Sequence, residues 1–112
     1  HNPPVFLNNK GINYLNEGGL ILGVLEDEIE YEIGKTKLTI DDRIVFYTDG
    51  ITEAMNPLEE EFGEERLISL LKNVDGISSE QLIHHIYDNV MDFCGHSEIQ
   101  YDDITMIALR MQ

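Results

Sequence analysis

The chain has 112 residues, 42% of them hydrophobic and 26% charged, enough for one soluble domain with one core. Its 22 acids against 7 bases give a formal net charge of -15, which argues against a nucleic-acid backbone or an anionic membrane surface as partner. No apolar run approaches the roughly 20 residues of a membrane span, no secretory segment is visible, and the single cysteine, Cys94, excludes an internal disulfide. A reducing cytoplasm is the expected home, with Cys94 a small core residue.

The sequence opens on His1-Asn2-Pro3-Pro4 without a methionine, so the numbering is expected to begin inside a longer protein. The prolines fix an extended lead-in. Val5-Phe6-Leu7 and Ile12-Asn13-Tyr14-Leu15 then read as strands of a hairpin around Asn8-Asn9-Lys10-Gly11. Glu17-Gly18-Gly19 breaks that pattern before Leu20 to Leu25, an apolar stretch whose Gly23 reads as a turn or packing glycine. Alternation of Ile29, Tyr31 and Ile33 predicts a half-buried strand, Gly34-Lys35 its turn, and Leu38 with Ile40 the return. Asp41-Asp42 is a tight acidic turn into Ile44-Val45-Phe46-Tyr47, whose continuous apolar character predicts a central strand covered on both faces.

Thr52 to Met55 has room for one helical turn, and Pro57 with Gly63 marks a surface loop carrying the acidic run Glu59-Glu60-Glu61. A helix is expected from Glu64 to Val74, with Leu67, Ile68, Leu70, Leu71 and Val74 on one side and Asp75-Gly76 ending it. Ser78 with Gln81 forms a capping box that opens a second helix, buried through Leu82, Ile83, Ile86, Val90 and Phe93 and closed by Gly95. His84 and His85 are adjacent, point about 100° apart on a helix, and so do not form a zinc pair; His96 has no histidine at ligand spacing. Ile104 to Leu109 supplies the last strand. Strands, two helices and a final strand predict an α+β fold in which helices cover one face of a mainly antiparallel sheet.

Two strands carry acids at one tip. Asp49-Gly50 follows Arg43 to Thr48, and Asp102-Asp103 precedes Ile104. If the strands are antiparallel neighbours, these tips converge, and converging carboxylates suit a hard cation and phosphate chemistry. By spacing alone the same acids read equally well as turn residues that hydrogen-bond their own loops.

At these residues the chain resembles the metal-dependent, type 2C (PPM) serine/threonine protein phosphatases, in the bacterial branch of the stage II sporulation protein E and sigma-factor regulators. His1 to Pro4, Gly19 to Gly23, Asp42 to Ala54, Phe62-Gly63-x-Glu65-Arg66-Leu67 and Asp102-Asp103-Ile104-Thr105 match its motifs in order. The resemblance implies half of an αββα sandwich, a C-terminal half occupying residues 1–112 as a single partial domain. It implies that Asp49 and Asp102 are metal ligands, with Gly50 and Asp103 in support, for Mn²⁺ or Mg²⁺. It also implies hydrolysis of phosphoserine or phosphothreonine on a regulatory phosphoprotein, such as an anti-sigma-factor antagonist.

The family's upstream acidic motif, whose Asp bridges two metals, has no counterpart here; Asp27, Asp41, Asp42, Asp75, Asp88 and Asp92 fall outside it. Weak metal binding, poor turnover and self-association through an uncovered sheet face are therefore expected of the isolated chain. A non-catalytic regulatory module of the same fold is the alternative, and an unrelated acidic metal-binding domain would require Asp49 and Asp102 to lie far apart. Asp41 stands where the family usually has Gly, which bears on turn geometry.

Overall fold

The computed structural model describes residues 2–16, 35–95 and 103–112. The expected strand around Ile29 to Ile33, the glycine-punctuated stretch from Gly18 to Gly23, His96 and Asp102 lie outside them. The first strands are β1 (Val5–Asn8) and β2 (Gly11–Tyr14), paired antiparallel with Asn8 opposite Gly11. Only Asn9 and Lys10 remain for the loop. The Asn8 side chain accepts from the Lys10 amide at 2.9 Å, and Gly11 takes a φ of +134° that side-chain-bearing residues avoid.

Strand β3 (Arg43–Tyr47) pairs antiparallel with β1, Val5 opposite Val45, and with β4 (Met106–Arg110), Val45 opposite Ala108. The sheet order is β2-β1-β3-β4, so β3 is interior, as its apolar run predicts. Alternation then divides the side chains. Val5, Leu7, Val45 and Tyr47 are buried on one face, while the other carries a buried Phe6 together with Phe46, Ile107 and Leu109 at 39%, 53% and 50% exposure. The expectation that β3 is covered on both faces is thus corrected at Phe46: among the described residues the helices cover the first face, and the second is buried at Phe6 but exposed at Phe46.

A one-turn helix, α1 (Asp49–Thr52), follows β3 directly, slightly earlier than the sequence suggests. Helix α2 (Gly63–Leu71) buries Leu67 and Leu71, four residues apart, and α3 (Ser79–Phe93) buries Leu82, Ile86 and Val90 at the same interval. The capping box is present: the Gln81 amide donates to Ser78 Oγ at 3.1 Å and the Ser78 amide to Gln81 Oε1 at 2.8 Å. Gly95 ends α3 with a left-handed φ of +71°. Together these side chains and Cys94 form one core against the sheet; burial pushes the Cys94 thiol pKa up, as suits an inert packing residue.

Two local expectations are corrected. Leu38 and Ile40 form no strand, and Ile40 is 74% exposed. Thr39 instead turns into Asp42, whose Oδ2 accepts from the Thr39 amide at 2.8 Å and from its hydroxyl at 3.1 Å. Helix α2 also stops before Val74, which stays buried but gives its carbonyl to the Arg43 guanidinium. The buried guanidinium spans the gap, Nη2 reaching the Ile77 carbonyl at 2.7 Å.

Asp41 adopts a φ of +71°, a left-handed conformation that favours glycine. Aspartate tolerates this region better than most residues, and Asp41 is engaged by Arg110 Nη2 at 2.7 Å on the surface.

Candidate metal centre

Because β3 and β4 run antiparallel with Tyr47 opposite Met106, the residues leaving β3 meet those entering β4. Thr48 ties the two. Its amide donates to the Thr105 carbonyl at 3.1 Å, its hydroxyl donates to the Asp103 carbonyl at 3.0 Å, and that hydroxyl accepts from the Thr105 amide at 3.1 Å. Thr48 stands at the N-cap of α1 but makes no side-chain cap bond, its oxygen being directed across to β4 instead.

Gly50 completes the junction. A β-carbon there would lie 2.3 Å from the Asp103 carbonyl oxygen and 2.8 Å from its carbon. Its φ is not left-handed. Glycine is therefore required for close backbone approach. Thus Asp49-Gly50 and the backbone of Asp103 share one junction. Asp102 lies outside the described residues.

Asp49 is the exposed first residue of α1. Its Oδ1 accepts from Asn2 Nδ2 at 2.6 Å across 47 positions of sequence. The register explains this reach: with Val5 opposite Val45, the segment preceding β1 runs beside the end of β3. A cleft of about 560 Å³ opens here, lined by Asn2, Pro4, Asp49, Asp103 and Thr105 at the polar end and by the exposed Phe46 and Ile107 at the other. Beneath it the Tyr47 side chain is buried, its hydroxyl without a hydrogen-bond partner among the described residues. Burial is the main cause pushing its pKa up to about 12, with the acids Glu64 and Asp49 and the phenol of Tyr14 adding to it, so the phenol is neutral at physiological pH.

Carboxylates at an open cleft fit a hard divalent cation, which takes oxygen ligands and retains waters. The described residues contain no cluster of three or more His, Cys, Asp or Glu able to hold a metal by themselves. Asp49 would be one ligand, with Asp103 alongside. The sequence singled out Asp49, Gly50 and Asp103, which the structure places at one junction, but not the contacts made by Asn2 and Thr48. Both were in view, Asn2 within the His-Asn-Pro-Pro motif and Thr48 beside the acid, yet their partners are set by strand register rather than by neighbours in sequence.

The sequence model of the family "Stage II sporulation protein E (SpoIIE)" matches residues 1–112. Protein IcfG of Synechocystis sp. is 32% identical over 117 residues, an alignment covering 97% of this chain and 17% of IcfG. In structure, the phosphatase domain of the cell fate determinant SpoIIE from Bacillus subtilis superimposes with a TM-score of 0.66 at 15% identity, over 98% of this chain and 48% of that one. A manganese-presoaked form of the same domain gives a TM-score of 0.65 at 16% identity, over 97% and 46%. At such identities the structural likeness is one of fold, an antiparallel sheet with helices as in the SpoIIE phosphatase domain, and the chain spans about half of that domain's length. The match along the whole sequence goes further: this chain belongs to the stage II sporulation protein E family.

Proposed function

We propose that the chain contributes part of the active site of a metal-dependent phosphatase, which hydrolyses phosphoserine or phosphothreonine on a regulatory protein in bacterial cytoplasmic signalling. The observation that carries this reading is the junction at which Thr48 and Gly50 hold the Asp49 tip against the backbone of Asp103. Membership of the family and the manganese treatment of its structural relative support it. Divalent ions bound there, Mn²⁺ or Mg²⁺, would supply an activated water and neutralise phosphoryl oxygens. Asp49 and Asp102 would hold them, Gly50 would let the two tips approach, and the apolar flank of Phe46 and Ile107 would limit water on one side of the cleft. The acidic surface suits a protein substrate rather than a nucleic acid, and an anti-sigma-factor antagonist is the partner class proposed. Among the described residues no helix is long and apolar enough to cross a membrane.

The direct test is Mn²⁺ titration and phosphopeptide hydrolysis by the full-length protein carrying Asp49→Asn. The loss of a ligand charge should weaken Mn²⁺ by more than about 100-fold, beyond the range typical of outer-shell changes, and hydrolysis should fall with it. Unaltered Mn²⁺ affinity would remove Asp49 from the metal site. Tight Mn²⁺ binding by the parent protein without turnover of any phosphopeptide would instead favour a regulatory module.

Self-association of the 112-residue chain is proposed from the uncovered face, where Phe46, Ile107 and Leu109 form a contiguous apolar strip across β3 and β4. With a formal charge of -15 on each copy, salt should strengthen association by screening repulsion. In sedimentation, Ile107→Glu should shift the chain toward monomer. A parent chain that stays monomeric at high concentration in salt would rule the association out.

A further inference from the structure

We propose that Asn2 is a positioning residue for Asp49, fixing one carboxylate oxygen so that the other is presented to the cation; this rests on the reading of Asp49 as a metal ligand. Asp49 sits exposed on a one-turn helix, where little packing restrains its side chain. The 2.6 Å contact from Asn2 Nδ2 to Oδ1 supplies that restraint. Only the amide NH₂ can donate to a carboxylate, so the chemistry itself sets the orientation of the Asn2 side chain.

The donor is also neutral. A lysine or arginine in its place would neutralise the charge that a divalent cation needs, whereas an amide orients the carboxylate and leaves its charge intact. Asn2 is itself restrained, since Pro3 and Pro4 fix the backbone leading into β1 and the Leu15 amide donates to the Pro4 carbonyl at 2.9 Å. The line from β1 to Asn2 is therefore stiff, and it is this end that restrains Asp49. It crosses from one side of β3 to the acid at its tip, which is how an outer residue orients a ligand.

The full-length protein and its Asn2→Ala, Asn2→Lys, Asp49→Asn and Asn2→Ala/Asp49→Asn variants would be titrated with Mn²⁺, reading free ion by electron paramagnetic resonance, and unfolded thermally. Asn2→Ala should weaken Mn²⁺ about 10-fold or more, with an unfolding midpoint within about 2 °C of the parent. Asn2→Lys should weaken it at least as much although a donor is restored, because the ammonium competes for the same charge. The double variant should bind Mn²⁺ no more weakly than Asp49→Asn alone.

If Asp49→Asn weakens Mn²⁺ but Asn2→Ala does not, Asn2 does not position the ligand and the metal site survives without this inference. Equal weakening by Asn2→Ala in both backgrounds also overturns it, since the effect would not pass through Asp49. A lowered midpoint with unchanged Mn²⁺ affinity, rescued by Asn2→Lys, would show a structural stitch only. If Asp49→Asn itself has no effect, both the ligand and its positioning fall together.

Discussion

Replacing Gly50 with alanine should both destabilise the protein and weaken its Mn²⁺ binding, although alanine is the better helix former by about 1 kcal/mol. Gly50 lies within α1, and the added methyl would stand 2.3 Å from a backbone oxygen, that of Asp103. A flexible side chain could swing away from such a contact, but a carbonyl can yield only by moving the strand lead-in that carries it. That lead-in is tied to Thr48 by the hydroxyl and amide bonds, so relief either breaks those bonds or displaces α1. Overpacking costs about 1–3 kcal/mol and each broken hydrogen bond about 1 kcal/mol, giving an expected loss of about 2–4 kcal/mol. The displaced parts are the two acidic tips, so Mn²⁺ affinity should fall even in protein that remains folded. Denaturant unfolding and Mn²⁺ titration of Gly50→Ala measure both effects. A variant more stable than the parent would mean that helix propensity dominates and that the close approach is not a constraint.

The features legible in the sequence are those decided within a few residues. The two-residue hairpin loop follows from Asn8 to Gly11, the start of α3 from Ser78 and Gln81, and its stop from Gly95. The interior place of β3 followed from its apolar run, but a count of apolar residues cannot tell a face covered by helices from one on which Phe46 and Ile107 stay exposed. Val74 shows the same limit from the other side. It carries the helical apolar period, but its carbonyl is taken by Arg43, 31 positions away, so burial continues where the helix does not. At the site, Asp49 and Gly50 are marked by the abrupt end of an apolar strand. Asn2 and Thr48 acquire their roles only once the antiparallel registers of β1 and β4 with β3 bring distant segments together. Local chemistry thus marks the acid at the strand tip, and tertiary register supplies what holds it.

Arg43 anchors the opposite end of β3, and Arg43→Ala should be among the most destabilising single changes. The residue is only 5% exposed, yet its guanidinium serves the Val74 and Ile77 carbonyls in the connection between α2 and α3. Burial, and then the like charge of Arg110, lower its pKa, while Asp75 and Asp41 oppose that shift; the guanidinium remains charged. Truncation removes both donors together with the packing of the stem, leaving the buried Val74 carbonyl with only the long 3.5 Å bond from the Ile77 amide and the half-buried Ile77 carbonyl without its guanidinium donor. An unsatisfied buried acceptor costs about 1–3 kcal/mol, so a total of about 3–5 kcal/mol is expected. Arg43→Lys should recover only part of it, because one ammonium cannot reproduce the planar fork that reaches two carbonyls. The distinguishing outcome lies at the other end of the strand. Arg43 begins β3, whereas Asp49 follows its end, so the folded fraction of Arg43→Lys should bind Mn²⁺ like the parent, unlike Gly50→Ala. A stability loss under about 1 kcal/mol for Arg43→Ala would mean that water replaces the guanidinium at both carbonyls. A matching loss of Mn²⁺ affinity in folded Arg43→Lys would instead show that the two ends of β3 are coupled through the sheet.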